Sequence, residues 1–201
     1  MQNLSLVAGL GNPGLEYAHT RNNAGYMVLE RLARRWQRPW KQDERFKARV
    51  ARATVRDNSV LLCQPLTFMN LSGEGIQPLA AYYRVPPNQL LVLVDDADLP
   101  LGTLRLRPGG SSGGHHGLES IEISLGTRDY ARLRLGIGRW LTGERQIRDY
   151  VLSRFQPVEK ELLEKVLERA ANQVECWLTE GIAKAMNNFN GLIGNEGTKE
   201  N

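Results

Sequence analysis

The stretch Leu90-Leu91-Val92-Leu93-Val94-Asp95 decides the fold of this chain. Consecutive apolar residues without polar alternation are typical of a strand that is covered on both faces, as in a parallel sheet flanked by helices. The run ends in an acidic residue, so Asp95 is predicted at the carboxyl end of a central strand. In open α/β sheets, ligands bind at that edge.

Segments with strand and helix patterns alternate on both sides of this run. We therefore predict an α/β fold: a single-domain three-layer sandwich whose mixed, mostly parallel twisted central sheet is flanked by helices. A chain of 201 residues is large enough for one complete core. We assign residues 1–194 to this domain and expect a flexible polar tail over residues 195–201. Further strands are predicted at 4–8, 48–55, 60–64, 104–107 and 133–137, and helices at 26–36, 71–83, 118–125, 146–155 and 158–178.

Composition excludes several classes of protein. The chain is 41% hydrophobic and 24% charged, which is ordinary for a globular domain. It has no apolar run of the ~20 residues that a membrane helix requires, and its first residues lack the pattern of a signal peptide. Cys63 and Cys176 lie in apolar surroundings, so we expect buried free thiols in a reducing cytoplasm. No obligate protein partner is indicated, and we expect a monomer.

The net charge of +4 is only mildly basic, but its distribution is informative. Arg105 and Arg107 stand two residues apart beside a glycine-rich segment, and Arg132 and Arg134 repeat this spacing on another predicted strand. Residues two apart share one face of a strand. The two pairs therefore predict a basic strip that follows a phosphate backbone, although a solvated surface would give the same balance.

The glycines at Gly9, Gly11 and Gly14 match the pattern of a dinucleotide-binding loop. That loop runs directly into a helix whose N-terminus holds the pyrophosphate. Here the helical pattern begins only near Asn23, and Pro13 removes a backbone donor. We therefore predict no nucleotide cofactor. The glycines are better explained as allowing a backbone bend that turns nearby side chains toward a cleft.

Polar clusters occur where loops should join buried elements. Asn, Asp and His are costly to bury unless their hydrogen bonds are satisfied, so several such groups in one cleft indicate a polar ligand. Three acids at 95, 96 and 98 lack nearby partners with metal-ligand spacing, and no metal site is predicted. The clusters are Gly9-Leu10-Gly11-Asn12-Pro13-Gly14, Thr67-Phe68-Met69-Asn70, Asp95-Asp96-Ala97-Asp98 and Gly113-Gly114-His115-His116-Gly117.

The order and spacing of these motifs closely resemble bacterial-type peptidyl-tRNA hydrolases. The resemblance covers about residues 4 to 190, and it implies hydrolysis of the ester that joins a peptide to the terminal ribose of tRNA, without a cofactor. Its partner would be peptidyl-tRNA, bound by the acceptor stem and 3′ end. The matching residues are Asn12, Thr20-Arg21, Phe68-Met69-Asn70, Asp95, Asp98-Leu99-Pro100, His115 and Gly136-Ile137-Gly138.

The resemblance also implies roles for individual residues. Asn12 would sense the peptide bond and so discriminate blocked from unblocked aminoacyl-tRNA, and Asp95 would orient and stabilise the general base. The peptide and the terminal adenosine would be held by a group of substrate-binding side chains, of which Asn70 would also place water. Arg107 and Arg134 would grip phosphates of the acceptor stem. The substrate-binding residues are Tyr17, Phe68, Asn70, His115 and His116.

Two positions depart from the family pattern. The family has Asn where this chain has His116, and it has the histidine that serves as general base where this chain has Asn22. A carboxamide has no useful basicity near pH 7, so loss of this base predicts a rate lower by ~10²–10⁴. Deliberate substitution, natural loss of activity, and substitution of the base by His115 or His116 remain open. A non-catalytic RNA-binding protein on the same scaffold is the alternative function.

Overall fold

Eight strands form one sheet within residues 3–138 and 144–194, which are the residues that the computed structural model describes. The run that decides the fold is the fifth of them, and it is buried up to Asp95. The strands are β1 Leu4–Gly9, β2 Lys41–Asp43, β3 Ala48–Val55, β4 Asn58–Pro65, β5 Leu90–Asp96, β6 Thr103–Arg107, β7 Ala131–Gly136 and β8 Gly191–Leu192.

The sheet has the order β2-β3-β4-β1-β5-β7-β6-β8. The four central strands β4, β1, β5 and β7 run parallel to one another. Antiparallel strands extend the sheet on both sides of this parallel centre. The predicted mixed sheet is thus confirmed, and the carboxyl ends of its parallel strands share one edge.

Helices cover both faces of the sheet, which confirms the three-layer arrangement. One hydrophobic cluster joins the sheet to α1, α5 and α6, and the other joins the opposite face to α2 and α3. The second half of the chain contributes the longest helix, α5, which packs on α1 and α6. The helices are α1 Ala24–Arg35, α2 Gly73–Tyr82, α3 His116–Leu125, α4 Glu144–Val151, α5 Lys160–Glu180 and α6 Ile182–Phe189.

The structure corrects several predicted boundaries. The hairpin between β3 and β4 turns on Arg56 and Asp57, both with positive φ, and β4 begins at Asn58, two residues before the predicted start. Helix α2 continues through Pro78 because the buried residues around it hold the helix in place despite the missing backbone donor. Helix α4 ends at Val151, earlier than expected. Strands β2 and β8 and helix α6 were absent from the prediction, and the predicted flexible tail lies outside the described residues.

Two glycines bring α1 unusually close to the sheet. A Cβ atom at Gly25 would lie 2.3 Å from the carbonyl oxygen of Leu93 in β5, and one at Gly9 would lie 2.4 Å from the carbonyl oxygen of Gly25. Larger residues would force α1 away from β1 and β5. This close approach places residues 21–23, a 3₁₀ turn that precedes α1, against β5 near the edge where its carboxyl end lies.

Both cysteines are buried and free, as predicted. Burial raises the pKa of the Cys63 thiol to about 12. Within the described ranges no helix is both long enough and apolar enough to cross a bilayer.

Candidate active site

The predicted polar clusters meet at the carboxyl edge of the parallel strands. Asn12 follows β1 and accepts a hydrogen bond at Oδ1 from the backbone N–H of Met69, which follows β4, at 2.8 Å. Asp95 ends β5 and is paired with His115 at 2.9 Å. Ile137, just after β7, donates its backbone N–H to the carbonyl of Asp96 at 3.1 Å. The loops after four neighbouring strands therefore build one site.

Asn12 is held rigidly with its amide donor available. Its backbone N–H donates to Asn23 Oδ1 at 2.8 Å, and Asn23 Nδ2 donates back to the Asn12 carbonyl at 3.0 Å. The N–H of Met69 occupies Oδ1 and so fixes the orientation of the Asn12 amide. Nδ2 donates to no described residue. A ligand at Asn12 is therefore offered an N–H donor, which suits a carbonyl oxygen.

Asn22 lies in the 3₁₀ turn Arg21–Asn23, with 5% of its surface exposed. Its Oδ1 lies 2.7 Å from Thr20 Oγ1, and the same hydroxyl lies 2.8 Å from the carbonyl of Tyr17. A hydroxyl has one proton, so Thr20 donates to only one of these oxygens. A half-turn of the Asn22 amide satisfies all three groups, because Nδ2 then donates to Thr20 and Thr20 donates to Tyr17. In the part of the chain that the structure describes, Asn22 has no hydrogen bond to Asp95, the residue that the resemblance pairs with the general base.

Asp95 is instead joined to His115. His115 precedes α3, and its Nδ1 accepts hydrogen bonds from the backbone N–H groups of Gly117 at 3.1 Å and Leu118 at 3.3 Å. The ring proton is therefore on Nε2, which donates to Asp95 Oδ1 at 2.9 Å. Both nitrogens of His115 are occupied, and its ring is mostly buried. A phosphate at this helix N-terminus would have to displace the imidazole from two backbone donors.

His116 has a different environment from its neighbour. It is the first residue of α3, its side chain is 78% exposed, and its Nδ1 lies 3.3 Å from Glu119 Oε2. The two adjacent histidines thus point to different surroundings, one engaged with the site and one with solvent. Of these two histidines, only His116 presents its ring to solvent.

The predicted substrate-binding side chains of Phe68, Asn70 and Tyr17 are partly or largely exposed to solvent. Phe68 is 56% exposed, which is high for a phenyl ring, and Asn70 beside it is also exposed. Tyr17 is half-buried in the loop that leads to the 3₁₀ turn. An exposed aromatic ring offers a stacking surface for a base.

The predicted basic strip is only partly realised. Arg107, at the end of β6, is exposed, whereas Arg134 has only 15% of its side chain exposed. Arg134 donates to the carbonyls of Ser111 and Ser112, each at 3.0 Å, and thus braces the glycine-rich loop. Arg132 is wrongly predicted as part of the strip, because it is 2% exposed and its guanidinium bonds to backbone carbonyls. Burial lowers the pKa of Arg132.

A buried cation behind the site was not identified as functional from the sequence. Arg21 precedes Asn22, is 3% exposed, and forms two hydrogen bonds with Glu159 at 3.0 and 2.9 Å. Its guanidinium also lies 4.4 Å from the Tyr150 ring centroid and 5.0 Å from that of Phe155. This contact set fastens the turn that carries position 22 to the segment between α4 and α5. Nothing local indicated it, because Glu159 is 138 residues away.

The glycine loop at residues 9–14 differs from a dinucleotide-binding loop. Helix α1 begins at Ala24, ten residues after Gly14, so the glycine loop does not run into a helix as a dinucleotide site requires. Within the described residues no group of three or more metal-binding side chains converges.

Comparison with known proteins identifies the family. The family model for peptidyl-tRNA hydrolase matches residues 6–199, nearly the whole chain. The chain belongs to the peptidyl-tRNA hydrolase family. This family of hydrolases includes a peptidyl-tRNA hydrolase of Syntrophomonas wolfei that is 46% identical over 187 residues, which are 93% of this chain and 100% of the relative. One of Gloeobacter violaceus is 46% identical over 93% of this chain and 94% of its own length.

Solved structures of the peptidyl-tRNA hydrolase family agree with the fold. The crystal structure of peptidyl-tRNA hydrolase from Acinetobacter baumannii superposes with a TM-score of 0.89 at 34% identity, and the match covers 96% of this chain and 97% of that one. A single-substitution mutant of the same enzyme superposes with a TM-score of 0.88 at 37% identity, and the match again covers 96% of this chain and 97% of that one.

Proposed function

We propose that this chain binds the 3′ end of peptidyl-tRNA and hydrolyses the ester between the peptide and the terminal ribose, at a rate limited by Asn22. A cytoplasmic location is part of this proposal and accords with two free thiols. The observation that supports the proposal is that Asn12, Asp95 and His115 meet at one edge of the sheet, against which the turn that carries Asn22 packs.

Substrate selection follows from the fixed donor on Asn12. Because Met69 occupies Oδ1, Asn12 Nδ2 is available to the carbonyl oxygen of the acyl group on the aminoacyl nitrogen. An unblocked aminoacyl ester lacks that carbonyl and presents a cationic ammonium group instead. The geometry thus favours N-blocked esters. Phe68 would stack on the terminal adenosine, while Asn70 would hold the ester and water beside it.

The chemical step requires an acceptor for the proton of the attacking water. Asn22 hydrogen-bonds water but does not accept its proton near pH 7. His115 is no substitute in this arrangement, because its Nδ1 caps α3 and its Nε2–H is bound to Asp95. His116 is no substitute either, because its side chain is 78% exposed and its Nδ1 lies 3.3 Å from Glu119 Oε2. The proposal therefore predicts slow hydrolysis with substrate binding retained.

Single-turnover cleavage of N-acetyl-aminoacyl-tRNA tests this proposal. Asn22→His should raise the rate by ~10²–10⁴, the usual contribution of a positioned general base. Asn22→Ala, which removes the amide without adding a base, is the matched control and should stay near the parent rate. Asn22→His combined with Asp95→Asn should lose most of the gain, because the imidazole then lacks its carboxylate.

Equal rates for the His and Ala variants would contradict the proposal. The non-catalytic alternative predicts that outcome together with RNA binding that does not depend on an acylated 3′ end. A binding measurement with N-acetyl-aminoacyl-tRNA and deacylated tRNA separates the two functions, since only the first function requires preference for the acylated form.

A further inference from the structure

A large cavity opens beside Asn12. It has a volume of about 1010 Å³ and lies between the loop after β1, the exposed side of α1 and the segment that leads into α5. Of the residues assigned above to the ester site, only Asn12 lines it. We call it the Gln64 groove after the buried amide at its inner end. Its lining includes Leu15, Met27, Gln64, Leu66, Pro157 and Leu163.

Gln64 gives the groove an unsatisfied acceptor. The residue is 1% exposed, and its Nε2 donates to the carbonyl of Tyr26 at 3.3 Å and to Glu30 Oε1 at 3.0 Å. These two acceptors fix the orientation of the amide, so Oε1 is the free end. Oε1 is buried and has no hydrogen-bond partner. A buried acceptor of this kind calls for an N–H or O–H donor from a ligand.

The rim of the groove carries cations that are not neutralised. Arg34, Arg154 and Lys160 are exposed, and none forms an ion pair with a described residue. The other two cations of the lining, Arg31 and Arg49, are paired with carboxylates of Glu164 and Glu30 respectively. The surplus positive charge favours a ligand with acidic groups.

The lining distinguishes a peptide from a nucleic acid. It combines aliphatic side chains with polar and charged ones, and two aromatic rings of the lining are already engaged: Phe155 is stacked on the guanidinium of Arg21, and the half-buried Tyr26 donates its hydroxyl to the carbonyl of Pro65. Single-stranded RNA is usually bound by free aromatic rings on which bases stack. Leu15, at 91% exposure, adds an apolar side chain to the same loop. Aliphatic walls, a buried acceptor for an N–H group and a cationic rim suit an extended peptide.

We propose that the Gln64 groove receives the upstream residues of the peptide carried by peptidyl-tRNA and favours aliphatic and acidic side chains. This inference rests on the proposed function. Asn12 holds the first acyl carbonyl at the ester site, and the chain then passes over Pro13 and Gly14 into the groove. A backbone N–H of the peptide pairs with Gln64 Oε1, while acidic side chains approach Arg34 and Lys160.

Equilibrium binding to the parent chain tests the inference, because slow hydrolysis keeps the ligand intact. Three N-acetylated probes share one tRNA: a single aminoacyl residue, a five-residue peptide with two aspartates, and the same peptide with two lysines in their place. The aspartate probe should bind at least tenfold more tightly than the lysine probe. The double variant Arg34→Glu/Lys160→Glu should abolish or invert this preference and leave the single-residue probe unchanged.

Arg38→Glu is the matched control, since Arg38 is exposed near the end of α1, lies outside the groove and has no ion pair with a described residue. It should leave the preference intact. If the double variant weakens the binding of all three probes equally, these cations contact RNA, and the proposal that the groove binds the peptide is overturned. Absence of any preference in the parent chain would overturn it as well. If the parent binds the single-residue probe no better than deacylated tRNA, the proposed function itself fails.

Discussion

Replacing Arg21 by Met should destabilise the fold and release the turn that carries position 22. The substitution removes a guanidinium that is 3% exposed and leaves Glu159, whose side chain is 17% exposed, without its bidentate partner. Removal of one member of a buried ion pair costs ~3–5 kcal/mol. Glu159 keeps a hydrogen bond from the backbone N–H of Gln156 at 2.7 Å, so the lower end of that range, ~3 kcal/mol, applies to the carboxylate.

The stacked rings add to this cost. Tyr150 and Phe155 both lie within 5.0 Å of the guanidinium carbon, and a desolvated cation–π contact contributes about 0.5–2 kcal/mol. Because Met retains part of the apolar packing, we expect a total loss of about 3–4 kcal/mol. At ~2–4 °C per kcal/mol for a chain of this size, the midpoint of thermal unfolding should fall by roughly 6–16 °C.

Urea unfolding of the parent, Arg21→Met, Glu159→Gln and the double variant measures this energy and the coupling between the two residues. Arg128→Met is the control, because Arg128 pairs with Glu122 at an exposed site and should change stability by less than ~1 kcal/mol. The reasoning is refuted if Arg21→Met costs less than ~1 kcal/mol, or if the two single changes add without coupling.

Two further predictions concern ionisation and RNA binding. Since burial raises the pKa of Cys63 from 9.0 to about 12, the unfolded state loses this proton first, and the free energy of unfolding should fall as pH rises between about 9 and about 12. Cys63→Ala should flatten that slope in urea titrations at pH 8 and 10.5, and an unchanged slope would assign the effect to other groups. Arg107→Ser should reduce the salt dependence of tRNA binding by roughly one unit of log–log slope, whereas Arg56→Ser, at the opposite edge of the sheet, should leave it unaltered. Equal slopes for Arg107→Ser and the parent would show that Arg107 makes no phosphate contact.

Much of the fold follows from the sequence because β1, β4 and β5 are short and mostly apolar runs, which can be recognised without knowing their partners. The run at 90–94 predicted β5 and its acidic end, and the glycine and proline positions marked most of the loops that meet at the site. Weak signals were missed: β8 has two residues, and β2 has three exposed or half-exposed polar residues. Such strands form because neighbours pair with them, which no local pattern records.

The convergence of the polar clusters at one edge of the sheet followed from the sequence, but the hydrogen-bond pairing within them did not. Asp95 was expected to orient the side chain at position 22, yet it accepts a hydrogen bond from His115 Nε2. The imidazole is fixed in this position because its Nδ1 accepts two backbone N–H groups at the start of α3. Arg132 and Arg134 share one face of β7, and both are largely covered there because their guanidinium groups donate to the loop at 111–112. These outcomes depend on contacts between distant segments, and spacing along a strand does not encode them.

The hydrogen bonds of Arg134 set a cost for any phosphate that this residue binds under the proposed function. Its Nη2 already donates hydrogen bonds to the backbone carbonyls of Ser111 and Ser112, and its Nη1 lies 3.5 Å from Asp96 Oδ2. A phosphate that draws this guanidinium outward takes those donors from the loop carbonyls and leaves Asp96 without its counter-charge. Under the proposed function, RNA binding through Arg134 therefore carries an internal exchange cost, which is smaller for Arg107 because, among the described residues, its guanidinium donates only to the carbonyl of Leu106, at 3.2 Å. Residues 111–114 should become more mobile when these hydrogen bonds break. Binding of a phosphate at Arg134 would then be coupled to rearrangement of the loop that precedes His115.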